Sequence, residues 1–154
     1  MKILLKNATI IDPKGAFHLQ EVDVYIQHGK IDSIGTNLTH DADITVKKDN
    51  LHLSIGWFDS SVCFGEPGFE ERETLANGLR TAALSGFTAI ALEPETQPTI
   101  DSQSAVIQLK NYRSDHPTEM HPIAAFTKGQ AGKLMTELYD LQNDPFEQHN
   151  FEID

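Results

Sequence analysis

Basic residues are scarce in this chain: 12 lysines and arginines stand against 23 aspartates and glutamates, for a net charge of −11. Phosphate backbones are held by clustered Lys and Arg, so no nucleic-acid partner is expected. Cysteine occurs once, as Cys63, which rules out an internal disulfide and points to a cytoplasmic location. No apolar run approaches the roughly 20 residues that span a bilayer, so no membrane role is expected. The opening Met1-Lys2-Ile3-Leu4-Leu5-Lys6-Asn7 lacks the long apolar region and cleavage site of a signal peptide. The Gly-x-Gly-x-x-Gly and Walker patterns are absent, and so is Gly-x-Ser-x-Gly. The histidines (His18, His28, His40, His52, His116, His121 and His149) are scattered, with no i, i+2 or i, i+4 pair to hold a metal. His52 and His121 read as hydrogen-bonded structural residues on strands. There is no internal repeat and no low-complexity segment.

What is present suits one sizeable core in 154 residues. An acidic surface of this kind mainly favours solubility. Ile3–Ile11 reads as a strand closed by the turn Asp12-Pro13-Lys14-Gly15. Val22, Val24 and Ile26 alternate with Asp23, Tyr25 and Gln27, the period-two pattern of a half-buried strand. His28-Gly29-Lys30 then makes a tight reversal into Ile31–Gly35. Ile44-Thr45-Val46 and Leu51-His52-Leu53 are two more short strands. Residues 1–54 are therefore expected to form a mostly antiparallel β module.

From Gly56 the rhythm changes. Leu75, Leu79, Ala82 and Ala83 fall at helical spacing, with Gly86 placed for a C-cap. Phe87–Leu92 is a buried strand stopped by Glu93-Pro94-Glu95-Thr96-Gln97-Pro98. Asp101 or Ser102 can cap a helix carrying Ala105, Val106, Leu109 and Tyr112. His121–Phe126 is a third strand, and Leu134, Met135, Leu138 and Leu141 mark a helix after it. The fold class is α/β: residues 55–141 should contribute about three βα units, with three parallel strands and helices on one side. Their uncovered face should contain Val62 and Ile90. Residues 142–154 read as an irregular acidic tail. A closed barrel takes about 250 residues and eight strands, which three strands cannot make.

The stretch around which the rest is organised is Ile55–Glu70, a buried strand ending in an exposed turn. Gly56-Trp57-Phe58-Asp59, then a short strand, then Glu66-Pro67-Gly68-Phe69-Glu70 resembles the first barrel strand of dihydroorotases and related cyclic amidohydrolases. Gly86-Phe87-Thr88, Glu93–Pro98, Thr127-Lys128-Gly129 and Glu137-Leu138 follow at matching distances. The resemblance implies a small β-sandwich-type module followed by an incomplete (β/α) TIM-barrel-like segment.

It also implies chemistry that this chain lacks. In the family two histidines on this strand bind catalytic zinc, an arginine grips the substrate carboxylate, and a later asparagine contacts substrate. Those positions here are Ser61, Cys63, Gly65 and Glu95. Strand alternation puts Ser61 and Cys63 on one face, but serine is a poor zinc ligand and one thiolate makes no catalytic site. No catalytic residue, no metal and no cofactor is expected. Cys63 reads as a small buried strand residue and Asp59 as a local hydrogen-bond acceptor. Glu66, Glu70, Glu71, Glu73, Glu93 and Glu95 read as a solvated acidic rim, or as oxygen ligands for a hard cation. A partner-binding, catalytically inactive homologue of pyrimidine metabolism is the reading the resemblance favours. The N-terminal portion of an active, zinc-dependent cyclic amidohydrolase is the alternative. Open strand edges and bare apolar surface lead one to expect a homo-oligomer or a longer chain. The resemblance makes aspartate transcarbamoylase a candidate partner.

Overall fold

The computed structural model describes residues 1–136, in two units: Met1–Ile55 and a second beginning at Gly56. The first contains β1 (Lys2–Ile11), β2 (Glu21–Gln27), β3 (Lys30–Gly35), β4 (Ile44–Lys47) and β5 (His52–Ser54). β2 lies antiparallel to β1 and pairs in turn with β3 through the turn at His28 and Gly29. Along the other edge of β1, β4 pairs with Ile3–Lys6 and β5 with Thr9–Ile11, both in parallel. Because β4 and β5 lie end to end beside one strand, they extend a single mixed sheet. The sandwich-type module that the resemblance implied is thus corrected to one five-stranded sheet, in which the β1–β2 and β2–β3 pairings are antiparallel as expected and the two short pairings along β1 are parallel.

β2 departs from the expected half-buried alternation. Val22 and Val24 join Ile10 in an apolar cluster packed by Leu5, Phe17, Ile26, Ile34 and Leu53. Asp23 and Tyr25, on the other face, are buried as well. The segment between β3 and β4 covers them. Tyr25 donates its hydroxyl proton to the Asp41 carbonyl at 3.2 Å and stacks on the His40 ring, centroids 4.3 Å apart. Asp23 accepts from the Lys6 ammonium, the Asn7 amide at 3.0 Å and the Leu38 amide at 2.9 Å. A buried carboxylate without such donors would be costly; with three it fixes the irregularity of β1 between Leu5 and Ala8.

The second unit runs β6 (Trp57–Val62), α1 (Leu75–Leu84), β7 (Phe87–Leu92), α2 (Gln103–Lys110) and β8 (Glu119–Pro122). The strands are parallel in the order β6-β7-β8. Thr74 caps α1 by accepting from the Asn77 amide, and Ser102 caps α2 by accepting from the Ala105 amide. Leu75 and Leu79 of α1 and Leu109 of α2 share one core with Ile90 and Leu92 of β7, joined by Phe64 and Ile100. Full burial of each such side chain stabilises by about 2 kcal/mol.

That core overturns the expected uncovered face. Ile90 is fully buried and Val62 packs against the helices. The face turned away from the helices carries Phe58, Ala89, Ala91 and His121: Phe58 pairs with Ala89, Ala91 pairs with His121, and the Phe58 and His121 rings meet edge to face at 6.4 Å. Two further expectations shift. The third strand begins at Glu119 and ends at Pro122, because the Ile123 amide makes the last bond to β7 and Ala125 turns to the Ile100 carbonyl. The apolar run Ile123–Phe126 was a misleading signal: it follows the strand. Leu134 and Met135 begin no helix; Lys128 donates to the Leu134 carbonyl and Met135 bridges Thr127. Leu138, Leu141 and the acidic tail lie outside the described residues.

Candidate functional site

In a parallel βα sheet, ligand-handling groups collect at the C-terminal ends of the strands, where the loops leave for the helices. Here those ends bring together Ser61, Cys63, Glu93 and Glu95. The Ser61 hydroxyl donates to Glu93 Oε1 at 3.1 Å and the Cys63 thiol to Glu95 Oε2 at 3.9 Å. The Val62 carbonyl accepts from the Glu93 amide at 2.8 Å between the two pairs. Ser61 and Cys63 thus both turn toward the exit of β7, although only Ser61 belongs to the strand. Cys63 is exposed and lies just past the end of β6, so the expectation of a buried strand residue is corrected. Its strand is an edge strand whose helix-free face is open among the described residues. Trp57 and Phe58 are 58% and 57% exposed, which also corrects the reading of a buried strand.

Gly65 sits at φ 101° and bridges Glu73. A Cβ there would stand 2.8 Å from the Phe69 carbonyl oxygen and 3.4 Å from Arg72 Cδ. Any side chain at this position meets backbone as well as an unfavourable φ. The space beside it is taken by Phe69, with the Arg72 guanidinium stacked 4.4 Å from the ring centroid. Gly68, at φ 100°, lets the loop after β6 touch the loop after β7. Gln97 donates its amide to the Pro67 carbonyl at 2.8 Å, and a Cβ on Gly68 would fall 2.2 Å from the Gln97 carbonyl oxygen.

The acidic rim is largely spoken for by protein donors. Glu66 Oε2 accepts from the Leu75 amide at 2.6 Å, at the N-terminus of α1. Glu73 Oε1 accepts from the Thr74 amide and from Asn77. Glu70 accepts from the Gly68 amide, which holds its carboxyl below the usual range. Asp101 accepts from the Gly129 amide at 2.7 Å, fastening the loop after β8 to the start of α2. Asp59 accepts from the Ser61 amide at 3.1 Å, the local role expected of it. Sequence reasoning named Glu66 only as a rim acid and missed its cap on α1. It also missed the Gly68–Gln97 contact, although Pro67-Gly68 followed by Gln97-Pro98 is the kind of turn pair that signals one. Both histidines expected on strands are exposed: His52 Nδ1 lies 2.8 Å from the Asn50 carbonyl, and His121 Nε2 lies 3.7 Å from Glu119.

Zinc in a catalytic site takes three protein ligands and leaves a position for water. Among the described residues no three His, Cys, Asp or Glu side chains come close enough to share an ion. The residues at the strand ends do not fit such a metal: the Ser61 hydroxyl is a poor zinc ligand, and the one thiolate that Cys63 could offer does not gather with enough other ligands to hold the ion. Also among the described residues, no helix is long and apolar enough to cross a membrane.

No family model matches the chain. A curated dihydroorotase from Pelotomaculum thermopropionicum is 36% identical over 143 residues, covering 92% of this chain and 33% of that protein. A dihydroorotase from Caldanaerobacter subterraneus subsp. tengcongensis is 34% identical over 143 residues, with the same shares. The solved L-hydantoinase (dihydropyrimidinase) from Arthrobacter aurescens matches 81% of this chain and 28% of its own, with a TM-score of 0.68 at 18% identity. That last likeness concerns the fold alone. The chain spans about a third of the length of the curated relatives it matches. With order, spacing and identity agreeing over nine-tenths of its residues, the chain belongs with the dihydroorotase-like proteins.

Proposed function

We propose that this chain is a catalytically silent dihydroorotase-like protein of pyrimidine metabolism that works by binding a partner. One observation carries the reading: where the resemblance puts two zinc-binding imidazoles, Ser61 and Cys63 each direct their side chain at a carboxylate of the neighbouring strand end. Opening or closing a cyclic amide near neutral pH calls for a polarised carbonyl and an activated water. Nothing at these strand ends supplies either. The second unit is then the first arc of a (β/α) barrel kept for its surfaces. Its helix-free face and free strand edges meet another copy, further βα units, or a partner such as aspartate transcarbamoylase. A single thiol in a chain of this charge suits the cytoplasm.

The test is metal analysis together with a dihydroorotase assay and a pull-down on the protein purified from its source, with its intact mass recorded. Zinc below stoichiometry, no turnover above background and recovery of a defined partner support the proposal. Stoichiometric zinc with turnover overturns it. That result would establish the second reading, the N-terminal portion of an active zinc-dependent cyclic amidohydrolase. The second reading is favoured by 36% identity to a dihydroorotase three times as long.

A further inference from the structure

We draw no further inference here: the strongest candidate, the groove of about 320 Å³ between the end of α2 and the start of β8 that collects Lys110, Arg113 and His116, carries nothing, because cations at a helix C-terminus already complement its carbonyls and nothing in the structure shows what covers the groove.

Discussion

Cys63 directs its thiol at Glu95, 3.9 Å away, two residues beyond the point where Ser61 donates to Glu93 at 3.1 Å. Both pairs span the same offset of 32 residues, so they form two rungs between the exits of β6 and β7. The Glu93 amide, bonded to the Val62 carbonyl at 2.8 Å, holds the two exits together between the rungs. The rungs are exposed, and exposure limits what they contribute.

The rungs should therefore couple weakly. In a double-mutant cycle with Ser61→Ala and Glu93→Gln, urea unfolding should give a coupling of about 0.5 kcal/mol, the low end for a hydrogen bond. Cys63→Ala should change stability by less, since a thiol is a poor donor. A coupling above about 2 kcal/mol would mean that the strand ends are shielded from water, contrary to the exposure found at Ser61 and Cys63.

Gly68 is the tighter constraint on the same rim. Gly68→Ala would place a methyl group 2.2 Å from the Gln97 carbonyl oxygen while holding a φ near 100°. Separating the two loops also breaks the bond from the Gln97 amide to the Pro67 carbonyl. A loss of about 3 kcal/mol is expected, combining backbone strain with the clash. Chemical denaturation of the variant measures it; an unchanged midpoint would show that the loops part freely.

Much of this arrangement was legible in the sequence, and the failures share a cause. Spacing located both helices, since Leu75 and Leu79 repeat at the helical period and Ser102, one of the two caps offered for the second, does cap it; the Thr74 cap of the first went unread. Strand alternation paired Ser61 with Cys63, and both do turn toward the exit of β7. What it could not supply was the depth of each face. Asp23 reads as solvent-facing until the segment carrying Leu38, His40 and Asp41 folds over it. Cys63 reads as buried because its neighbours are apolar, yet β6 is an edge strand. The polarity of a single strand does not reveal which other segment covers it. The same limit misplaced β8, where exposed Glu119 belongs to the strand and apolar Phe126 does not.

Asp23 gives the first unit an acid limit. Burial alone would raise its pKa, but hydrogen bonds from Lys6, Asn7 and Leu38 outweigh burial and hold the carboxyl below the usual value. A pKa lower in the folded than in the unfolded chain means stability that is in place above the unfolded value, near 3.8, and lost as pH falls through the folded one. Wild-type stability should thus decline below about pH 4. Asp23→Ala should cost about 3 kcal/mol at neutral pH, by leaving the Lys6 charge and two amides without their acceptor. Its loss on acidification should be shallower than the wild type's. Equal slopes for the two proteins between pH 5 and pH 2 would remove Asp23 from the account.

Trp57 offers a direct reading of assembly, because it is the only tryptophan of the chain and is 58% exposed. Beside it Phe58 is 57% exposed on the helix-free face. If another polypeptide pairs with the free edge of β6 and covers both residues, Trp57 emission should shift to the blue as protein concentration rises, in step with the mass found by light scattering. Phe58→Asp should abolish both changes and leave the far-ultraviolet circular dichroism as it was. A constant monomer mass and a concentration-independent emission maximum would count against the face as an interface.

Restoring the three family residues should not restore catalysis. Ser61→His and Cys63→His would return two imidazoles to one face, but their nearest neighbours are Glu93 and Glu95, which now accept the hydrogen bonds of Ser61 and Cys63. Two imidazoles fall short of the three protein ligands a catalytic zinc takes, and carboxylates crowding the fourth position would displace the water to be activated. Gly65→Arg meets a separate obstacle. The residue would have to adopt φ 101° with its Cβ 2.8 Å from the Phe69 carbonyl oxygen, in space already filled by Phe69 and Arg72. The strain and clash together should lower stability by about 3 kcal/mol, and the loop would move before the guanidinium could reach a substrate carboxylate. The triple variant should therefore bind some zinc, unfold at lower denaturant than the wild type and show no dihydroorotase turnover above the uncatalysed rate. Measuring zinc, the unfolding midpoint and turnover on the same preparation separates these effects. Zinc-dependent turnover in the triple variant would show that the strand ends retain a working geometry and would overturn this expectation.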